Sequence, residues 1–192
     1  MSEDWRKMGI AAQVSAWPEP TGPTPSQTVG PYYEIGMSWM GPEGANLVSP
    51  ESPEAVTLTG QVLDGAGKPV PDSVVEIWQP DPQGRIGARE GFAGWGRSLV
   101  DESGTYRFVT VAPGVLQEGH APYIAVNVFA RGTLQRLATR IYLPGHPAND
   151  QDPLLSALGP DRQNTLVAED RSGGLHHDIH LQGDAETVFL IW

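Results

Sequence analysis

From Thr57 onward this chain alternates apolar and polar residues in short runs, each cut off by glycine, proline or aspartate. Thr105–Val111 sets Tyr106, Phe108 and Thr110 against Arg107, Val109 and Val111, and Tyr123–Ala130 sets Tyr123, Ala125, Asn127 and Phe129 against Ile124, Val126, Val128 and Ala130. A period of two places alternate side chains on opposite faces of a strand. Leu58–Leu63, Val74–Gln79, Leu137–Leu143 and Leu175–Leu181 read the same way, and Thr187–Trp192 is a last apolar strand. Between the first two lies Asp64-Gly65-Ala66-Gly67-Lys68-Pro69, where glycine supplies positive φ and proline removes a ladder donor. With 23 glycines and 18 prolines in 192 residues, the chain suits many short strands better than a helical bundle. A single helical signal follows Asp152 as N-cap and Pro153 at the first position, running through Leu154, Leu155 and Leu158 to Gly159. The expected fold is all-β: an antiparallel two-sheet β-sandwich with long loops, an extended N-terminal arm and one short helix.

The arm occupies residues 1–54 and the sandwich domain 55–192. Pro18, Pro20, Pro23, Pro25, Pro31, Pro42, Pro50 and Pro53 interrupt any periodic run in the arm. Trp5, Trp17, Tyr32, Tyr33, Ile35, Met37, Trp39 and Met40 nevertheless make it too apolar for a solvated tail. It is expected to pack on its own sandwich or on a partner subunit. The net charge of −11 argues against a nucleic-acid or anionic-membrane surface. There is no cysteine, hence no disulfide framework, thiolate nucleophile or cysteine metal site. MSEDWRKMGI has no apolar signal core, so a cytoplasmic location is expected.

Leu175–Leu181, LHHDIHL, is the most tempting local cluster. A strand places His176, Asp178 and His180 on one face, a two-His-one-carboxylate set of the kind that binds iron. The competing reading is the polar outer face of a sheet. Same-face side chains stand about 7 Å apart along a strand, whereas one ion draws its ligands to bonds of about 2 Å. Spacing favours the sheet face.

The turn Asp64–Pro69 followed by Val70-Pro71-Asp72-Ser73-Val74-Val75-Glu76-Ile77-Trp78-Gln79 resembles the entry hairpin of the intradiol ring-cleaving dioxygenases, β-sandwich enzymes that hold a non-haem ferric iron. In catalytic members the segment after Trp-Gln closes on Gly-Arg-Tyr, whose phenolate is an iron ligand. Here it closes on Gly84-Arg85-Ile86. Protocatechuate-type members have a second tyrosine after a Pro-Gly turn and a His-Ile-His on the next strand. This chain has Pro113-Gly114-Val115-Leu116 and Tyr123-Ile124-Ala125. The degenerate ligand positions are therefore Ile86, Leu116, Tyr123 and Ala125, and the resemblance implies a chain that binds no metal and carries no catalytic residue.

Pro25-Ser26-Gln27-Thr28-Val29-Gly30-Pro31-Tyr32, Phe129-Ala130-Arg131-Gly132 and Gly183–Phe189 narrow the resemblance to the iron-free subunit of heteromeric, protocatechuate-cleaving members of the family. That implies a partner, a homologous subunit bearing Fe(III), which uses O2 to cleave protocatechuate to 3-carboxy-cis,cis-muconate. It also implies that Thr28, Gly30, Pro31, Tyr32 and Arg131 line the partner's substrate pocket, with Arg131 on the substrate carboxylate. Two other readings stay open: a self-sufficient intradiol dioxygenase with displaced ligands, and a non-enzymatic β-sandwich binding module.

Overall fold

A computed structural model describes residues 25–30, 32–171 and 173–191. Trp5, Trp17, Pro31 and Trp192 lie outside them. The strands are β1 (Val56–Leu63), β2 (Val74–Trp78), β3 (Trp95–Leu99), β4 (Thr105–Thr110), β5 (Tyr123–Phe129), β6 (Leu137–Tyr142), β7 (Glu169–Arg171), β8 (Gly174–His176) and β9 (Ile179–His180). They form two sheets, ordered β4-β1-β8-β7 with β9 also on β1, and β3-β2-β5-β6. Leu58, Val62, Tyr106 and Phe108 from the first sheet meet Val75, Ile77, Ile124, Val126, Val128 and Ile141 from the second in the main core. These are the inward sets that alternation marks in β1, β2, β4 and β5. The two-sheet architecture is as expected, and four features depart from the expectation in detail.

The first sheet is not wholly antiparallel, because β8 and β9 both run parallel to β1. This is also why Leu175–Leu181 does not form one strand. At His177 the chain leaves regular pairing with β1: the His177 amide donates to the Thr59 carbonyl at 2.8 Å, and its carbonyl accepts from the Tyr106 hydroxyl at 2.6 Å. A Cβ on Gly60 would lie 1.7 Å from that carbonyl oxygen, so only glycine fits there. Asp178 then covers the gap in the ladder, its Oδ1 accepting the Gln61 amide at 2.8 Å.

Among the described residues three helices are present where one was expected: α1 (Tyr33–Met37), α2 (Pro153–Ser156) and α3 (Pro160–Asn164), with 3₁₀ turns at Ser38–Met40, Pro42–Ala45 and Pro147–Gln151. The N-cap of α2 is Asp152, whose carboxylate accepts from the Leu154 and Leu155 amides. The helix stops at Ser156 and α3 restarts after Gly159, with Pro160 in its first turn. The described part of the arm is correspondingly more regular than its prolines suggest. Ala45, Leu47 and Val48 are buried in the main core, and Leu47 donates its amide to the Val109 carbonyl at 2.7 Å.

β3 carries no apolar alternation, since its inward residues are Gly96 and Ser98. Leu47 fills the space, its Cδ1 only 2.5 Å from where a Gly96 Cβ would stand. The terminal TVFLIW segment, finally, is not a regular strand. Thr187 bonds to His180 and Leu190 to Ala138, so the segment crosses from the first sheet to the edge of the second, and Ile191 is fully exposed.

Candidate functional site

The loop after β2 is fixed by two buried polar side chains. The Gln79 amide donates to the Val111 carbonyl at 2.9 Å and accepts from the Thr110 hydroxyl at 2.7 Å, tying the end of β2 to the end of β4. Asp81 accepts from the Gln83 and Arg85 amides and pairs with Arg85 at 2.7 Å and Arg89 at 3.2 Å. Burial would raise its carboxyl pKa, and these hydrogen bonds and charges hold it below the usual range instead. Gly84 and Gly114 then meet backbone to backbone: a Cβ on Gly84 would lie 2.2 Å from the Val115 carbonyl oxygen, and one on Gly114 2.5 Å from the Gly84 nitrogen. The Gly-Arg-Ile and Pro-Gly-Val-Leu segments are thus adjacent. Trp78, at the end of β2, pairs with Ala125 on β5, so the degenerate ligand positions belong to one end of the second sheet.

Those positions do not fit a metal ion. Ile86 is 72% exposed, Leu116 is 38% exposed, and neither they nor Ala125 offers a donor atom. The remaining group, Tyr123, has the Arg140 guanidinium 4.0 Å from its ring centre. Nor do His176, Asp178 and His180 make a metal set. His176 Nε2 lies 3.1 Å from Asp178 Oδ1, and that carboxylate already serves the Gln61 amide. Among the described residues no group of three or more His, Asp or Glu side chains converges to hold an ion. His177 is buried, and burial pushes its imidazole pKa down to about 4.

The arm and the loop after β5 come together. Thr28 Oγ1 accepts the Gly132 amide at 2.8 Å, joining the two sequence motifs directly. Ala130–Thr133 is a tight turn closed by Thr133 donating to Ala130, with Gly132 at φ +94°; this turn sets Arg131 outward. Its guanidinium pairs with Asp72 at 2.7 Å, the two side chains being 53% and 37% exposed. Burial and a hydrogen bond with Asp72 raise the Glu34 carboxyl pKa. Tyr32, just before α1, is 79% exposed, while Tyr33 turns inward and packs on Phe129 with ring centres 5.7 Å apart. Thr28, Gly30, Tyr32 and Arg131 therefore lie on one arm-and-turn unit; Pro31 lies outside the described residues.

Sequence reasoning missed Glu34, Asp72 and Arg140. Asp72 left a trace, an aspartate after Pro71 that takes φ +63°, a conformation that suits Asn, Asp or Gly. Arg140 was visible only through strand register, which sets it opposite Ala125.

The sandwich, with a site end built by the Trp-Gln loop and β5, is that of a ring-cleaving oxygenase. A family model described as Dioxygenase matches residues 30–183, and the chain belongs to the intradiol ring-cleaving dioxygenases, an iron-dependent family. Within it the chain is 38% identical over 189 residues to the protocatechuate 3,4-dioxygenase alpha chain of Burkholderia cepacia, covering 87% of this chain and 96% of that one. It is 31% identical over 153 residues to the beta chain from the same organism, covering 68% of this chain and 65% of that one. Among solved structures, the dioxygenase domain of a dioxygenase carbohydrate-binding protein fusion from Streptomyces sp. SirexAA-E superposes with a TM-score of 0.56 at 28% identity, over 83% of this chain and 96% of that one. No helix among the described residues is long and apolar enough to cross a membrane.

Proposed function

We propose that this chain is the iron-free alpha subunit of a heteromeric protocatechuate 3,4-dioxygenase, completing the substrate pocket of a homologous, iron-bearing beta subunit. The partner holds Fe(III) and uses O2 to open protocatechuate between its hydroxylated carbons, giving 3-carboxy-cis,cis-muconate. On this reading the assembly is cytoplasmic, residues 1–54 form an arm that packs on the sandwich and on the partner subunit, and 55–192 form the sandwich domain.

The observation that carries the reading is the Thr28–Gly132 hydrogen bond. It makes the arm and the Arg131 turn a single unit, facing away from the core of this chain. Gly30 adds to it: a Cβ there would meet nothing within 4 Å, so the packing of this chain gives no reason for a glycine. Close approach by a ligand or a partner backbone does. Thr28 supplies a hydroxyl, Pro31 a rigid bend and Tyr32 an aromatic wall. Protocatechuate presents two catechol oxygens to iron and a carboxylate at the opposite end of the ring. A guanidinium, planar and with paired donors, suits that carboxylate, and Arg131 is the cation on the unit. Exposed Tyr32, Ile35, Trp39 and Trp78 favour a large, core-like subunit interface.

Expression with and without the iron-bearing homologue tests the reading. The chain alone is expected to be colourless, iron-poor and inactive on protocatechuate, with activity only in the co-expressed complex. A red-brown preparation of the chain by itself, cleaving the ring with near-stoichiometric iron, would overturn it.

A further inference from the structure

In β5 and β6, Ala125 stands opposite Arg140 and Tyr123 opposite Tyr142, and opposed residues of an antiparallel pair share a face. Two of the four positions where the family places its ligands therefore border Arg140 directly. The guanidinium is fixed on two sides. Its face lies over the Tyr123 ring, 4.0 Å from the centre, within the range of a cation–π contact. Its edge donates through Nη1 to the Tyr142 hydroxyl at 3.2 Å. Tyr142 in turn donates to Asp152 Oδ1 at 3.0 Å, and the Asp152 carboxylate is wholly buried, held by the Ala121, Leu154 and Leu155 amides. The cation is thus anchored, through one tyrosine, to the N-cap of α2.

We propose that Arg140 is a resident cation at the degenerate metal position, which ties β6 to β5 through Tyr123, is held in place by Tyr142 of its own strand, and keeps a metal ion from binding there. A metal bound by side chains of neighbouring strands acts as a cross-link carrying positive charge. Here a side chain of β6 supplies both functions across to β5. An arginine cannot lose its proton within a protein, so the charge is permanent, and a ferric ion on this face would meet a fixed like charge. Loss of iron is then secured twice, by the missing donors and by the repelling group, and restoring the donors does not restore the site. The inference rests on the family's ligand positions and does not depend on how the partner's substrate pocket is completed.

The experiment reads iron on this chain. Four substitutions, Ile86→Tyr, Leu116→Tyr, Tyr123→His and Ala125→His, are made in the full chain within its assembly, with and without Arg140→Gln. Iron per copy of the chain is measured against the unaltered assembly, together with the visible tyrosinate-to-iron absorption. With Arg140 in place the four-fold variant is expected to add no iron; with Arg140→Gln the added iron rises toward one equivalent and the absorption grows. Full iron uptake with Arg140 retained overturns the proposal, as does the absence of any gain on Arg140→Gln. Should the four-fold variants fail to fold, a thermal double-mutant cycle of Arg140→Gln and Tyr123→Leu replaces them. Coupled losses support the tie between the strands, and additive losses overturn it.

Discussion

Arg131→Ala separates recognition of substrate from support of the fold. Within this chain the Arg131 guanidinium meets Asp72 at 2.7 Å, and both side chains are more than one third exposed. Exposed pairs of this kind contribute about 0–1 kcal/mol, so the substitution should leave assembly, iron content and melting temperature nearly unchanged. A charge-assisted hydrogen bond to the carboxylate of a bound ligand contributes about 1.5–3 kcal/mol. If Arg131 serves the substrate, kcat/KM for protocatechuate should fall on the order of ten- to a hundredfold. Catechol has no carboxylate and should lose far less, while Arg131→Lys should recover only part of the loss because an ammonium lacks the planar fork. The assay is oxygen uptake by the reconstituted complex with each substrate. Equal losses on the two substrates would make Arg131 a structural residue, and no loss on either would remove it from the pocket.

Two further outcomes concern the fold. Gly60→Ala drives a methyl group onto the His177 carbonyl where β8 gives way to β9; it should cost about 3 kcal/mol or more, and a melting temperature within a degree of the parent would refute the role assigned to that contact. His177 is held neutral by burial, helped by the charges of His176 and His180 and opposed by Asp178 and Glu169, which puts its pKa at about 4 against an ordinary 6.5. A base whose folded pKa is depressed leaves stability intact above 6.5 and removes it as pH falls toward 4. The loss is on the order of 3 kcal/mol, measurable by urea unfolding, and His177→Gln should flatten the slope; an unchanged slope would assign it to other groups.

Alternation disclosed β5 most cleanly, because Ile124, Val126 and Val128 are buried between less buried neighbours; β1, β2, β4 and β6 were legible as well, although β6 buries Ile141 in the main core and Tyr142 in a second cluster. It failed at β3 because that strand buries Gly96 and Ser98, whose inward position is set by Leu47 from the arm. It misled at TVFLIW, where apolar residues follow a path between sheets with single hydrogen bonds to each. Helix α1 has five residues, too short to show a period of 3.6. At the site, residue types and motifs pointed to Arg131 and Thr28, but their meeting through Gly132 joins residues 104 positions apart, which no local pattern encodes. The pairing of Asp72 with Arg131 and the placing of Arg140 opposite Ala125 came from tertiary structure.

The parallel pairing of β1 with β8 and β9 also has a temporal consequence. β1 lies inside its sheet, with β4 on one edge and β8 on the other, and the latter contacts span 117 residues of chain. During synthesis β1 and β4 can close early, as a nearby antiparallel pair. The second edge of β1 stays open until residues 174–180 have been made, offering unpaired amides and carbonyls to any neighbouring strand. Closure at such sequence separation is slow. A nascent chain of this design carries an open strand edge until its last segments are made, and truncations before Gly174 leave that edge without β8 and β9.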